Sequence, residues 1–260
     1  MNPLLIFGPV GMILVGIFSI TLWKLKKHVK MKYFFLGGLV WIGTIIPKIV
    51  MDYTVTPRLY EWAAVTYSLA GMLIILGAYV GLRTGVFECG LTYVTFSRSS
   101  LSKMSVDEIT AFGIGFGAFE AMLVAIPSLM QIATFILDPS VLNLMPLPQR
   151  ELLEAQLSFP TWVVGAPIVE RVFALFVHTF AAMLVFLSAV RRRIDLFLEA
   201  FFYKSLLDAL VPYIQTSLRP NISPVSIYLA EVWVVAMGSI AWVGVHWAGS
   251  TMRGDQHPSS

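Results

Sequence analysis

Seven ionisable residues, Glu88, Glu120, Glu170, Arg171, His178, Lys204 and Asp208, stand well inside apolar stretches of this 260-residue chain. Charged groups are costly within a bilayer and turn toward a bundle interior or a watery cavity, so each is a candidate for chemistry or for a buried partner. Carboxylates beside an imidazole or an amine are the groups that move protons and steady developing charge. Spacing narrows the pairings. Arg171 and His178 are seven apart and share a helix face. Lys204 and Asp208 are four apart and can neutralise one another. Glu120 can pair with Arg171 as structural glue between helices. Lys48, Glu199 and Glu231 lie nearer the ends of apolar stretches, where long side chains snorkel toward water. The single cysteine, Cys89, excludes an internal disulfide and a cysteine-cluster metal site. As a nucleophile it is disfavoured, because it adjoins Glu88 and neighbouring helix positions do not face one cavity equally.

The elements that must hold these residues follow from composition. The chain is 57% hydrophobic and 13% charged, with mean hydropathy +0.79. A soluble domain is about 45–50% apolar and about 25% charged. That balance excludes a soluble globular enzyme and a disordered chain, and the net charge of only +3 does not call for a nucleic-acid partner. The expected fold is an all-α polytopic transmembrane bundle with seven spans of about 20 residues. The spans are read at residues 4–23, 33–50, 62 to about 96, 109–137, 161–190, 196–215 and 225–247. They form one domain, residues 1–252, followed by a disordered tail, 253–260. The proline-rich loop 138–160 contains a short amphipathic helix at 149–157, read as a connector. Gly113 and Gly117 carry the small-residue spacing that lets membrane helices approach closely. With Gly115 they do not make a phosphate loop, since no strand precedes them.

Eleven basic residues fall on one side of this topology: Lys24, Lys26, Lys27, Lys30, Lys32, Arg98, Lys103, Arg191, Arg192, Arg193 and Arg253. Three, Arg58, Arg150 and Arg219, fall on the other. Positive residues mark the cytoplasmic side, which predicts the N-terminus outside and the C-terminus in the cytoplasm. No basic stretch precedes the first apolar run, so no cleaved signal peptide is expected. Measured from the cytoplasmic side, Glu88 and Lys204 lie about 12 Å deep, and Glu120, His178 and Asp208 about 18 Å. Glu170 lies about 30 Å from that side. One buried polar centre in the cytoplasmic half is the simplest outcome.

Four segments, in order, resemble motifs of one family. Gly85-Val86-Phe87-Glu88-Cys89-Gly90-Leu91-Thr92-Tyr93 resembles an F-E-E-x-x-R-Y motif. Gly113-Ile114-Gly115-Phe116-Gly117-Ala118-Phe119-Glu120-Ala121 resembles G-x-G-H-G-x-x-E-A. The run from Glu170-Arg171 to His178 is similar to E-R-x-x-A-x-x-x-H, and Lys204 to Asp208 stands in the place of H-x-x-x-D. Gly37, Gly38, Pro47 and Lys48 sit where the family has a glycine-containing second span ending in a proline and a basic residue. The family is that of the YhfC-type glutamic intramembrane peptidases, distant relatives of type II CAAX prenyl endopeptidases, PrsW-type proteases and the polytopic scaffold subunit of gamma-secretase. The resemblance covers residues 32 to about 211. Four positions depart from it: Cys89 replaces a glutamate, Thr92 an arginine, and Phe116 and Lys204 each a histidine.

The resemblance implies an intramembrane endopeptidase that cleaves membrane-embedded or membrane-adjacent peptides. Its implied catalytic residues are Glu88, His178, Lys204 and Asp208, supported by Glu120, Glu170 and Arg171. Hydrolysis needs a base to take a proton from water and a donor for the oxyanion. Glu88 would be the base. His178 would donate to the oxyanion or hold the water, and Lys204 would replace a histidine as a charged donor beside Asp208. Cys89 and Thr92 remove a charged pair that would orient the site, and Phe116 removes a polar donor. No zinc set with the usual His and carboxylate spacing survives, so no cofactor is expected. Two other readings stay open: a non-catalytic scaffold that holds a partner helix, and a transporter or channel lined by the same charges. The expected partners are membrane lipids and a transmembrane peptide substrate or partner helix. The expected setting is a prokaryotic cytoplasmic membrane.

Overall fold

The computed structural model describes residues 1–98, 100–218 and 223–256, and the described residues contain helices and turns without a strand. Six helical stretches are long and apolar enough to cross a membrane: Pro3–Lys27, Met31–Thr54, Leu69–Ser97, Val106–Leu137, Thr161–Arg191 and Pro224–Gly254. The chain is an all-α polytopic membrane protein. Its helices are α1 (Phe7–Lys27), α2 (Met31–Thr54), α3 (Thr56–Thr66), α4 (Leu69–Thr84), α5 (Gly90–Ser97), α6 (Val106–Leu137), α7 (Leu147–Leu157), α8 (Gly165–Arg191), α9 (Ile194–Ala209), α10 (Val211–Leu218) and α11 (Pro224–Gln256).

Three boundaries differ from the sequence reading. The third span starts at Leu69 rather than near Trp62. Tyr67 is extended and the Ser68 hydroxyl caps a new helix by accepting from Gly71 N, so Trp62 is left on the separate, largely exposed α3. The sixth expected span is not one helix. It is divided between α9 and α10 at Leu210, two residues before Pro212, which has no N–H to donate back to the preceding turn. Finally, α11 runs through Arg253 to Gln256, past the expected start of the tail. Residues 257–260 and Arg219 lie outside the described residues.

Within the third span, α4 passes through a π turn, Gly85–Cys89, into α5. A π turn adds one residue to a helical turn and is frequent at functional sites. Here it carries Glu88. The span beyond it begins with a capping box: Ser105 accepts from Glu108 N, and the Glu108 carboxylate accepts from Ser105 N.

α6 and α8 pack together at the centre, with α1 and α2 against α6 and α11 against α8. α9 fills the space between α4 and α8. Small residues allow these approaches. A Cβ on Gly113 would lie 2.5 Å from Thr179 Cα of α8, and one on Gly81 would meet the Ser205 carbonyl of α9. The Gly113–Gly117 stripe therefore faces α8 rather than lipid.

Contacts group the helix ends. At one end Lys27 pairs with Asp107 at 3.2 Å, Trp23 Nε1 donates to Asp107 O, and Gly249 approaches Val106 and Met183. At the other, Asn2 donates to Leu157 O and Phe159 O, and Tyr228 donates to Trp162 O. The lysines after α1 and the arginines after α8 thus belong to the same end. α1 and α8 each stop there on a left-handed residue, His28 and Arg192.

Candidate functional site

Five helical segments deliver side chains to one point inside the bundle: Lys48 from α2, Glu88 from the π turn, Glu120 from α6, His178 and Arg171 from α8, and Lys204 from α9. Lys48, Glu88, His178, Arg171 and Lys204 are all buried. Glu88 is held from two sides. Its Oε1 lies 2.5 Å from Lys48 Nζ, and its Oε2 lies 2.9 Å from Lys204 Nζ and 3.8 Å from His178 Nδ1. Lys48 thus takes one oxygen of the carboxylate and Lys204 the other.

His178 links Lys204 to Glu120. Lys204 Nζ is 3.3 Å from Nδ1, and an ammonium has only donors, so Nδ1 accepts from it. Nε2–H is then the donor to Glu120 Oε2, at 2.9 Å. Glu120 is occupied further: Trp41 Nε1 donates to Oε2 at 2.9 Å and Arg171 to Oε1 at 2.8 Å. Arg171 is also forked onto Glu170. Three carboxylates, Glu88, Glu120 and Glu170, thus meet three cations, Lys48, Lys204 and Arg171. That balance lets so many charges persist away from water.

The implied catalytic residues do not all converge. Glu88, His178 and Lys204 are in mutual contact, with Glu120 on the far side of the imidazole. Asp208 instead accepts from Thr84 Oγ1 at 2.5 Å, and Lys204 is turned to Glu88 rather than to the aspartate four residues on. The i, i+4 neutralisation that spacing allowed is replaced by a pairing between helices. Lys48 departs from expectation too. It does not snorkel, because α2 continues to Thr54 and leaves Lys48 about 9 Å inside the helix end. The one sequence signal for it was the Pro47–Lys48 pair. Trp41 and Thr84 carried no signal, since an indole or a hydroxyl within an apolar span is unremarkable until its acceptor is placed.

Beside the cluster is a cavity of about 10 Å³, room for a single water molecule, bounded by Glu88, His178, Lys204, Cys89, Thr92 and Phe116. Glu88 and Lys204, paired at 2.9 Å, both belong to its wall. The four positions at which the sequence departs from the resembled motifs, Cys89, Thr92, Phe116 and Lys204, all line this cavity. Departures scattered over 116 residues of sequence are therefore one local change. The Phe116 ring takes up space against His178, with ring centroids 5.1 Å apart.

A family model described as YhfC intramembrane metalloprotease matches residues 11–229. No curated protein and no solved structure matches the chain. The description implies a metal ion, and the residues of this site do not fit one. Among the described residues no three His, Cys, Asp or Glu side chains are grouped to hold a metal. The carboxylate oxygens of Glu88 face two ammonium groups, and both nitrogens of His178 are engaged, by Lys204 and by Glu120. A divalent ion here would stand beside two fixed positive charges. Each pair of like unit charges about 4 Å apart costs about 4 kcal/mol at intermediate dielectric.

Proposed function

The chain belongs to the YhfC intramembrane metalloprotease family, and from that premise we propose that it is an intramembrane endopeptidase of the glutamic type, with Glu88 as its base. The observation that carries this reading is the Glu88–Lys204 pair, Oε2 to Nζ 2.9 Å, in the wall of a cavity sized for one water. In this reading Glu88 Oε2 takes a proton from that water as its oxygen forms a bond to the scissile carbonyl carbon. The carbonyl oxygen becomes an oxyanion and is steadied by Lys204 Nζ. The carbon–nitrogen bond then breaks, and the proton held by Glu88 passes to the leaving amine. Lys48 holds the other oxygen of the carboxylate, and Glu120, accepting from His178 Nε2, positions the imidazole against Lys204. Asp208 has a supporting place one turn from Lys204. The substrate is a transmembrane or membrane-adjacent peptide, and the setting a prokaryotic cytoplasmic membrane with the basic helix ends inside.

One observation favours a second reading, a non-catalytic scaffold for a partner helix. The four motif replacements all fall on the cavity wall, where they leave little room for a substrate carbonyl. The two readings separate in one experiment. The purified chain in liposomes is given a library of transmembrane peptides, beside Lys48→Met and Glu88→Gln/Lys48→Met. The double variant removes the base together with one of the cations that its loss would strand. Turnover by the native chain and by Lys48→Met, but not by the folded double variant, supports the peptidase. A native chain no faster than the double variant leaves the scaffold.

A further inference from the structure

The resembled motifs carry histidine at three positions that in this chain are Phe116, His178 and Lys204. These lie on three helices, α6, α8 and α9, yet the fold brings them to one point. The Phe116 and His178 rings are tilted by 31° with centroids 5.1 Å apart, and Lys204 Nζ lies 3.3 Å from His178 Nδ1. Glu88 completes the group, with Oε2 2.9 Å from the same Nζ. An imidazole nitrogen and a carboxylate oxygen converging from different elements are the donors that hold a divalent transition metal. In this chain both converge on an ammonium, and Phe116 closes with carbon a side on which a further ligand could stand.

We infer that the Lys204 ammonium occupies the cation seat of this site, so that the chain arranges Glu88 and His178 around a tethered monocation and takes up no metal. Three features of the site support this. The nitrogen has the carboxylate and imidazole contacts of a bound cation. Its charge, with those of Lys48 and Arg171, balances Glu88, Glu120 and Glu170 without an added ion. The group is anchored to α9, packed between α4 and α8, so it cannot be chelated away or exchanged. The inference holds whether or not the chain cleaves peptides.

The test is metal content and thermal unfolding of the full chain, purified in detergent without chelator. The native chain is expected to carry no stoichiometric metal, and its melting midpoint to be the same in EDTA and in added zinc. Phe116→His with Lys204→His, which returns two imidazoles to the seat, is expected to take up stoichiometric zinc. Its midpoint should rise as zinc is raised above the dissociation constant. Stoichiometric metal in the native chain, or a midpoint lowered by EDTA, overturns the inference. So does a folded double variant that takes up no zinc. If the double variant does not fold, Lys204→His is measured in the same way with the same two outcomes, and the native-chain measurements decide by themselves.

Discussion

Lys48 Nζ lies 2.5 Å from Glu88 Oε1, and both side chains are buried between α2 and the π turn that joins α4 to α5. The carboxylate that the motif singles out is therefore also a structural counter-ion. A polar variant at Glu88 is not the silent replacement it would be at an exposed position, because it strands two ammonium groups away from water.

That relationship predicts the stability of a mutant set. Glu88→Gln alone leaves Lys48 and Lys204 unpaired and is expected to lower stability by about 3–5 kcal/mol. Lys48→Met leaves Glu88 with Lys204 and costs less. Glu88→Gln/Lys48→Met is expected to recover part of the loss, since Lys48 is no longer left as an uncompensated buried charge. Denaturation of the three variants in detergent measures the coupling. Strictly additive losses would mean that the pair contributes nothing to the fold.

Activity is expected to depend on His178 as well. His178→Ala removes the group that both Lys204 and Glu120 contact, so Lys204 loses its position against Glu88 and peptide turnover is expected to fall by roughly 10²-fold. The measurement is single-turnover cleavage in liposomes, with circular dichroism to show that the helices remain. A folded His178→Ala chain with native turnover removes the imidazole from the chemistry.

Helix approach gives the third prediction. A Cβ at Gly113 would lie 2.5 Å from Thr179 Cα, so Gly113→Ala is expected to destabilise the bundle by about 1–3 kcal/mol through overpacking. At Gly117 the nearest atoms are Leu175 Cδ2 at 3.0 Å and His178 Cδ2 at 3.2 Å. Gly117→Leu is therefore expected both to lower the melting midpoint and to push His178 off Glu120. Unchanged melting of either variant would place the α6–α8 contact elsewhere.

The fourth prediction concerns sidedness. With Cys89→Ala as background, single cysteines at Lys30 and Arg192 are expected to react with a membrane-impermeant maleimide from the same side, and one at Ser158 from the opposite side. By the positive-inside rule the first side is expected to be the cytoplasmic one. Labelling of Lys30→Cys and Arg192→Cys from opposite sides would contradict the grouping of helix ends by the Lys27–Asp107 and Asn2–Phe159 contacts.

The amino-acid sequence by itself determined that this is a helical membrane protein and which residues are expensive within it. Apolar runs of about 20 residues have few alternatives in a bilayer, where every backbone group must be satisfied within the segment. The cost of burying charge marks Glu88, Glu120, Arg171, His178 and Lys204 as needing partners. Apart from Glu120 and Arg171, which pair as expected, it did not determine who those partners are. A one-residue change in where a helix starts rotates a side chain by about 100° and moves it 1.5 Å along the axis. Contacts of 2.5–2.9 Å between helices are therefore beyond what spacing can specify. Only the tertiary structure turned Lys204 to Glu88 instead of Asp208, drew Lys48 inward because α2 runs to Thr54, and divided the sixth span ahead of Pro212. It alone gathered Cys89, Thr92, Phe116 and Lys204 around one cavity, because the pairing of α5, α6 and α9 about α8 depends on packing complementarity among helices far apart in the chain.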